Sequence, residues 1–189
     1  MSTSSGRRRH TKGLLAMAGV LALAILIPTV AAAAAQPGGG LRKAQHATEM
    51  FQHVHEAEIR GYGKFTDVNG ITCIDNLGVG GMGIHYVNGI LLNDPGLNVA
   101  TPEAAVYQPM PGGKLKLVAL EYIVTKAAWE GAGNTSPPRL FGHNLNLIPA
   151  PNRYGLPDFY EIHAWIYKDN PSGEFSDWNP RVNCANAVA

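Results

Sequence analysis

The chain predicts an α+β fold in which one N-terminal amphipathic helix packs on a mainly antiparallel β-sheet or partial barrel. Three observations point there. Apolar residues recur at three- and four-residue steps from Leu41 to Arg60 (Leu41, Ala44, Ala47, Phe51, Val54), the period of a helix with one buried face. Beyond Gly61 the pattern changes to short runs rich in β-branched and aromatic residues. No second helix of comparable length follows, so the crossover helices that a parallel sheet requires are missing.

The first stretch reads as a targeting segment. Arg7, Arg8, Arg9 and Lys12 form a basic start, and Leu14 to Ile27 is an uncharged, mostly aliphatic run. Pro28 breaks it, and Ala31 to Ala35 offer small residues to a signal peptidase. Residues 1–35 are therefore expected to be a cleaved signal peptide of the general export route. The residues after the arginines fit a twin-arginine signal poorly. Retention of the leader as an anchor is the competing reading, because the run from Gly13 to Ala35 is long enough to span a bilayer. With cleavage the protein has no stable membrane span and is exported, to a periplasm or the exterior.

Cleavage leaves 154 of 189 residues, enough for one domain with its own core. It also removes four basic and no acidic side chains, so 11 basic and 14 acidic remain, for a net charge of −3. A mildly acidic domain argues against nucleic acid as a partner. The two cysteines, Cys73 and Cys184, read in an exported chain as one disulfide. Closing a loop of about 110 residues stabilises the fold by roughly 4 to 5 kcal/mol in the chain-entropy model, less any strain.

Gln36 to Gly40 reads as a Pro/Gly linker, and residues 41–189 as a single domain. Gly61 is a natural stop for the helix. His53 and His55, about 200° apart on one continuous helix, would not share a face. Strands are expected at Ile71–Ile74, Met82–Val87, Ala104–Gln108, Leu115–Val124 and Phe159–Tyr167, with the third and fourth joined as a hairpin through the turn cluster Pro109 to Gly113. Residues 126–158, with glycine, asparagine and five prolines, read as a long irregular excursion.

Two histidines stand inside apolar strand-like runs, His85 in Gly-Met-Gly-Ile-His-Tyr-Val and His163 in Tyr-Glu-Ile-His-Ala-Trp. Imidazole is the commonest metal ligand and titrates near neutrality. Alternation along 115–124 leaves both faces mostly apolar, with Glu121 in the middle of one, as in a central strand covered on both sides. A carboxylate so placed must be paired, metal-bound or protonated. The structural alternative is an ion pair with Arg139, Arg153 or Arg181. In the last strand Tyr160, Ile162, Ala164 and Ile166 form one face, and Phe159, Glu161, His163, Trp165 and Tyr167 the other.

His85, Glu121 and His163 would suit zinc, iron or manganese through two imidazoles and a carboxylate. Glu161, Trp165, Tyr167 and Tyr86 are the expected contacts of a bound small ligand. If the site is catalytic, His163 is a metal ligand or general base, Glu121 the second ligand or acid, and His85 the third ligand. The alternative is a non-catalytic envelope protein in which the same groups form a buried hydrogen-bond network. The glycines before His85 lack the spacing and following helix of a nucleotide loop. Ser136, Ser172 and Ser176 lie outside any nucleophile elbow. Carboxylate pairs for glycoside hydrolysis could be drawn from Glu103, Glu121 and Glu161, but spacing does not fix their separation.

The chain resembles a group of uncharacterised, exported bacterial proteins. The resemblance is carried by Gly61-Tyr62, Met82-Gly83-Ile84-His85-Tyr86-Val87-Asn88, Pro102-Glu103, Leu120-Glu121-Tyr122, Leu140-Phe141-Gly142 and Tyr160-Glu161-Ile162-His163-Ala164-Trp165. It continues through Asn170-Pro171-Ser172-Gly173-Glu174-Phe175, Asp177-Trp178-Asn179-Pro180 and Cys184. It implies export of a single domain and no mechanism. His53 and His55 lie outside these strings.

Overall fold

The structure is a computed structural model, and the residues it describes are 1–2 and 38–187. Apart from its first two residues the expected leader lies outside them, as do Gln36 and Pro37 of the expected linker. In chain order the elements are α1 (Gly39–Thr48), a 3-10 turn (Glu49–Gln52), α2 (Val54–Glu58), β1 (Tyr62–Lys64), β2 (Cys73–Asn76), β3 (Gly80–Asn88) and α3 (Gly89–Leu92). There follow β4 (Ala104–Met110), β5 (Lys114–Thr125), α4 (Lys126–Gly131), β6 (Arg139–Leu140), β7 (His143–Asn144), β8 (Asn146–Ile148) and β9 (Phe159–Ala164). The fold is α+β.

The main sheet runs β1-β3-β4-β5-β9-β8, with β2 also paired to β3, and every pairing is antiparallel. It stays open and is not closed into a barrel. The expected hairpin forms between β4 and β5, closing at Met110 and Lys114. Gly112 and Gly113 take positive φ there, a region side chains rarely adopt.

The single helix expected over 41–60 is instead broken in two. Thr48 is fully buried and its hydroxyl bonds back to the Ala44 carbonyl. The Phe51 carbonyl accepts the Tyr107 hydroxyl at 2.7 Å rather than continuing a helical ladder. The tightened turn that results buries Phe51 against Tyr62, ring centroids 5.0 Å apart. His53, with extended backbone, is the break, so the helical phase of His53 and His55 does not hold. Gly61 ends the second segment at φ 87° with its amide on the Glu58 carbonyl, as its position predicts.

These helical pieces cover one sheet face, where Ala44, Phe51 and Ala57 pack with Tyr62, Tyr86, Tyr107, Leu120, Tyr122 and Ile162 in the main core. The opposite face carries two smaller apolar clusters around Val106, Val118 and Trp165 and around Ile123 and Phe159. Its cover comes from the excursion after α4, through Tyr154 and Leu156, and from the C-terminal tail, through Val182. The excursion is therefore not irregular throughout, since it holds α4, the β6–β7 hairpin and the sheet's own edge strand β8.

Alternation on β5 also departs from strict parity. A bulge opposite the Val106–Tyr107 step puts Val118 and Ala119 in the same cluster and turns Leu117 to the helix side. From Leu120 onward the parity is as expected, so Glu121 keeps its face. The glycines before His85 serve close approach. A Cβ on Gly80 would lie 2.4 Å from the Asn179 carbonyl oxygen, and one on Gly83 would lie 2.6 Å from that of Tyr107. They let the tail and β4 press directly on β3.

Cys73 and Cys184 are disulfide-bonded across 111 residues, in keeping with an exported chain. Among the described residues no helix is long and apolar enough to cross a membrane. Cys73→Ser is expected to lower unfolding stability by roughly 4 to 5 kcal/mol, Cys184→Ser equally, and the double variant no further. Chemical denaturation of the three variants checks this, and additive losses would show that the cysteines act through separate contacts.

Candidate functional site

Register places the ionisable groups. On β5 and β9, Glu121 is directly opposite His163, and Ile123 opposite Glu161. His85 lies two strands away on β3, roughly 9.5 Å at ordinary strand spacing. The intervening β4 offers only Ala104, opposite Glu121, and Val106, opposite His85. These short side chains let His85 and Glu121 reach over β4, and His85 Nε2 comes to 3.4 Å from Glu121 Oε2. The His85 and His163 rings meet edge to face at 5.8 Å between centroids.

One donor atom from each of His85, Glu121 and His163 lies within 4.8 Å of the others, and all three residues are buried. The two rings hold their nitrogens differently. His163 Nδ1 lies 3.2 Å from Glu161 Oε2. His163 Nε2 and both nitrogens of His85 have no hydrogen-bond partner among the described residues, although they are fully buried; the 3.4 Å approach of His85 Nε2 to Glu121 lacks hydrogen-bond alignment. Buried polar atoms are almost always paired, and each exception marks strain, chemistry or a missing ligand.

Outer contacts then steady the cluster. Asn146 Nδ2 bridges Glu161 Oε1 and Asp177 Oδ1, each at 3.4 Å. Glu161, His163 and Asp177 form a second convergent set within the same limit. Trp165 stacks on His163 at 5.9 Å, and its indole N–H is held by the Ser176 carbonyl.

Electrostatics separate the two histidines. Burial and the neighbouring His163 charge push His85 down to about 3, so it stays a neutral imidazole with a lone pair to give. Burial works against a charge on His163 too, but the Glu121 and Glu161 carboxylates outweigh it and raise the ring to about 9. Burial lifts Glu121 to about 7 despite the His163 attraction. Burial and the Glu161 charge raise Asp177 as well.

A cavity of about 50 Å³ borders the cluster, with His85 and Glu121 in its wall. Phe65, Phe159, Leu156 and Tyr154 supply apolar surface around them. The Tyr154 ring is edge-on to Phe159 at 5.6 Å. Arg153 beside it makes a paired contact to Asp67 at 3.0 and 2.7 Å, and its carbonyl accepts the Val68 amide. The excursion is thereby pinned over the site.

The structure thus gathers His85, Glu121, His163, Glu161 and Trp165 on one face. Two expected ligand contacts are elsewhere. Tyr86 follows His85 on its strand and therefore points to the helix side, edge-on to Tyr107. Tyr167 lies beyond the end of β9, where the chain turns after Ala164 and alternation stops; its hydroxyl bonds Thr48 and the Gln45 carbonyl. None of the three arginines pairs with Glu121. Arg153 is taken by Asp67, Arg181 by Asp169 and Arg139 by the Gly142 carbonyl. His53 and His55 are exposed and line a single cleft of about 600 Å³ on the helix side with Lys64. Asp177, Asn146 and Tyr154 are the residues that sequence reasoning missed. Only Asp177 left a trace, as an acid among the aromatics Phe175 and Trp178 of the tail.

Comparison with protein-family models, with curated proteins and with solved structures finds no match to this chain. Its chemistry is read from the site alone.

Glu103 stands apart from the cluster. It is buried beside the Tyr62 and Tyr122 phenols, and its carboxylate accepts the Ile123 amide. Burial raises it from an ordinary 4.5 to about 8. Below pH 4.5 both folded and unfolded chains hold this proton. Between 4.5 and 8 only the folded chain does, so its contribution to stability falls as pH rises, by at most about 1.4 kcal/mol per pH unit, and levels off above 8. Glu103→Gln cannot ionise and is expected to gain on the wild type steadily from pH 5 to 8. Denaturant midpoints across that range test this, and parallel curves for the two proteins would refute it.

Proposed function

We propose that this exported domain binds a divalent metal ion through His85, Glu121 and His163, with zinc, iron or manganese as the fitting ions. The observation that carries the reading is the set of buried imidazole nitrogens without hydrogen bonds, converging with the Glu121 carboxylate. A purely structural network would have paired them, because an unsatisfied buried polar group costs roughly 1 to 3 kcal/mol. Two imidazoles and one carboxylate are a donor set for these metals.

Three further features support it. Glu161 holds the Nδ1 side of His163, which leaves Nε2 as the ligand atom, the arrangement that orients metal-binding histidines. His85 is held neutral, as a ligand must be, and His163 would release its proton on binding the ion, which takes over the attraction of the carboxylates. Three protein ligands leave room for a further, exchangeable one, and a cavity adjoins two of them. Such an ion would act as a Lewis acid on whatever occupies that position. The disulfide and the expected leader favour the periplasm or the cell exterior as its place of work.

Elemental analysis of mature, untagged protein is expected to give one metal ion per chain, lost in His163→Ala and Glu121→Gln. Glu161→Gln should keep the ion but weaken its binding by about 10- to 100-fold in a competition titration. At a metal concentration 100 times Kd the wild type gains about 2.7 kcal/mol of stability. Substoichiometric metal that His163→Ala leaves unchanged would return the site to the structural reading.

A further inference from the structure

The hollow beside His85 and Glu121 opens to solvent past the half-buried Phe65, Tyr154 and Leu156, and its narrow inner space limits what can reach these two side chains. Its volume is about 50 Å³, and one water molecule needs roughly 10 to 15 Å³ of such space. That is space for about three or four heavy atoms. Most ligand pockets for organic molecules are several times larger, on the order of 300 Å³ and upward.

Charge narrows the range further. A divalent ion with one carboxylate and two neutral imidazoles carries a net charge of +1. Among the described residues the chamber wall, beyond His85 and Glu121, holds no charged side chain. In such surroundings a neutral or singly negative guest is tolerated, whereas a doubly charged one would remain an unpaired buried charge. A zwitterion or a sugar would need polar partners that this wall lacks.

Tyr154 supplies the one hydroxyl in the wall among the described residues. Its only hydrogen-bond contact among the described residues is Met82 Sδ at 3.5 Å, a weak acceptor that a better one would displace. The ring itself is held between Phe65 and Phe159. The hydroxyl is thus a fixed donor with capacity to spare.

Resting on the metal reading above, we infer that the exchangeable coordination position serves a diatomic or triatomic ligand, neutral or monoanionic, to which Tyr154 donates a hydrogen bond, and that the chamber excludes larger organic molecules. Leu156, on the excursion pinned by Arg153 and Asp67, sets the upper size limit.

The cobalt(II)-loaded protein tests this, with azide and imidazole as probes. Azide should shift the visible cobalt bands saturably, and imidazole should leave them unchanged at ten times the concentration. Leu156→Ala should admit imidazole with at least tenfold tighter binding than the wild type. Tyr154→Phe should weaken azide about 5- to 10-fold, the loss of one hydrogen bond. Should Leu156→Ala fail to fold by circular dichroism, Leu92→Ala, in the same wall, makes the same comparison. Imidazole perturbing the wild type as readily as azide, or azide leaving the bands unmoved, would overturn the inference while the metal reading stands. A protein that binds no cobalt would remove the metal reading and this inference with it.

Discussion

The pairing of β5 with β9, in a register that sets Glu121 directly against His163, is the constraint on which the rest of the structure turns. β5 is a central strand, so Glu121 cannot reach solvent and must be answered within the protein. His163 answers it from one side. His85 answers it from the other, across the low ridge of Ala104 and Val106. Either β4 residue made bulky would separate the two halves. The segments that cover this face of the sheet then enclose the buried group. The excursion brings Tyr154 and Leu156, and the tail brings Asp177 and Val182.

The two sheet faces treat polar groups in opposite ways. On the helix side three buried tyrosine hydroxyls end on backbone carbonyls. Tyr62 meets Pro102, Tyr107 meets Phe51 and Tyr122 meets Val99. That side is a satisfied core, and its polar atoms fix how the broken helix sits. On the other side three imidazole nitrogens are left bare. A chain that pairs its buried polar atoms so consistently elsewhere lends weight to the exception. The proton on His163 and a bound cation are alternatives at the same place, since either supplies positive charge between Glu121 and the ring.

Much of this was legible in the residues. The change from a helical period to short β-rich runs predicts an antiparallel α+β domain. The apolar surroundings of His85, Glu121 and His163 single them out before any geometry is known. The even cysteine count predicts the disulfide. What could not be read has local causes. The helix breaks because Phe51's carbonyl is drawn to Tyr107, a contact 56 residues away. Parity fails at the Val118–Ala119 bulge and after Ala164, because alternation describes a strand only while it remains regular. Tyr167 departs from its expected place because the strand ends before it, whereas Tyr86 was legible, since simple alternation from His85 sends it to the helix side.

The amino-acid sequence by itself determined which side chains would be costly to bury. Burial of an imidazole or a carboxylate is a property of the residue and its neighbours along one strand. Only the tertiary structure decided whether those costs meet. Strand order, the small residues on β4 and the covering by tail and excursion bring His85, Glu121, His163, Glu161 and Asp177 into one place. Nothing along the chain specifies such a convergence, because it depends on distances between strands rather than on spacing within them.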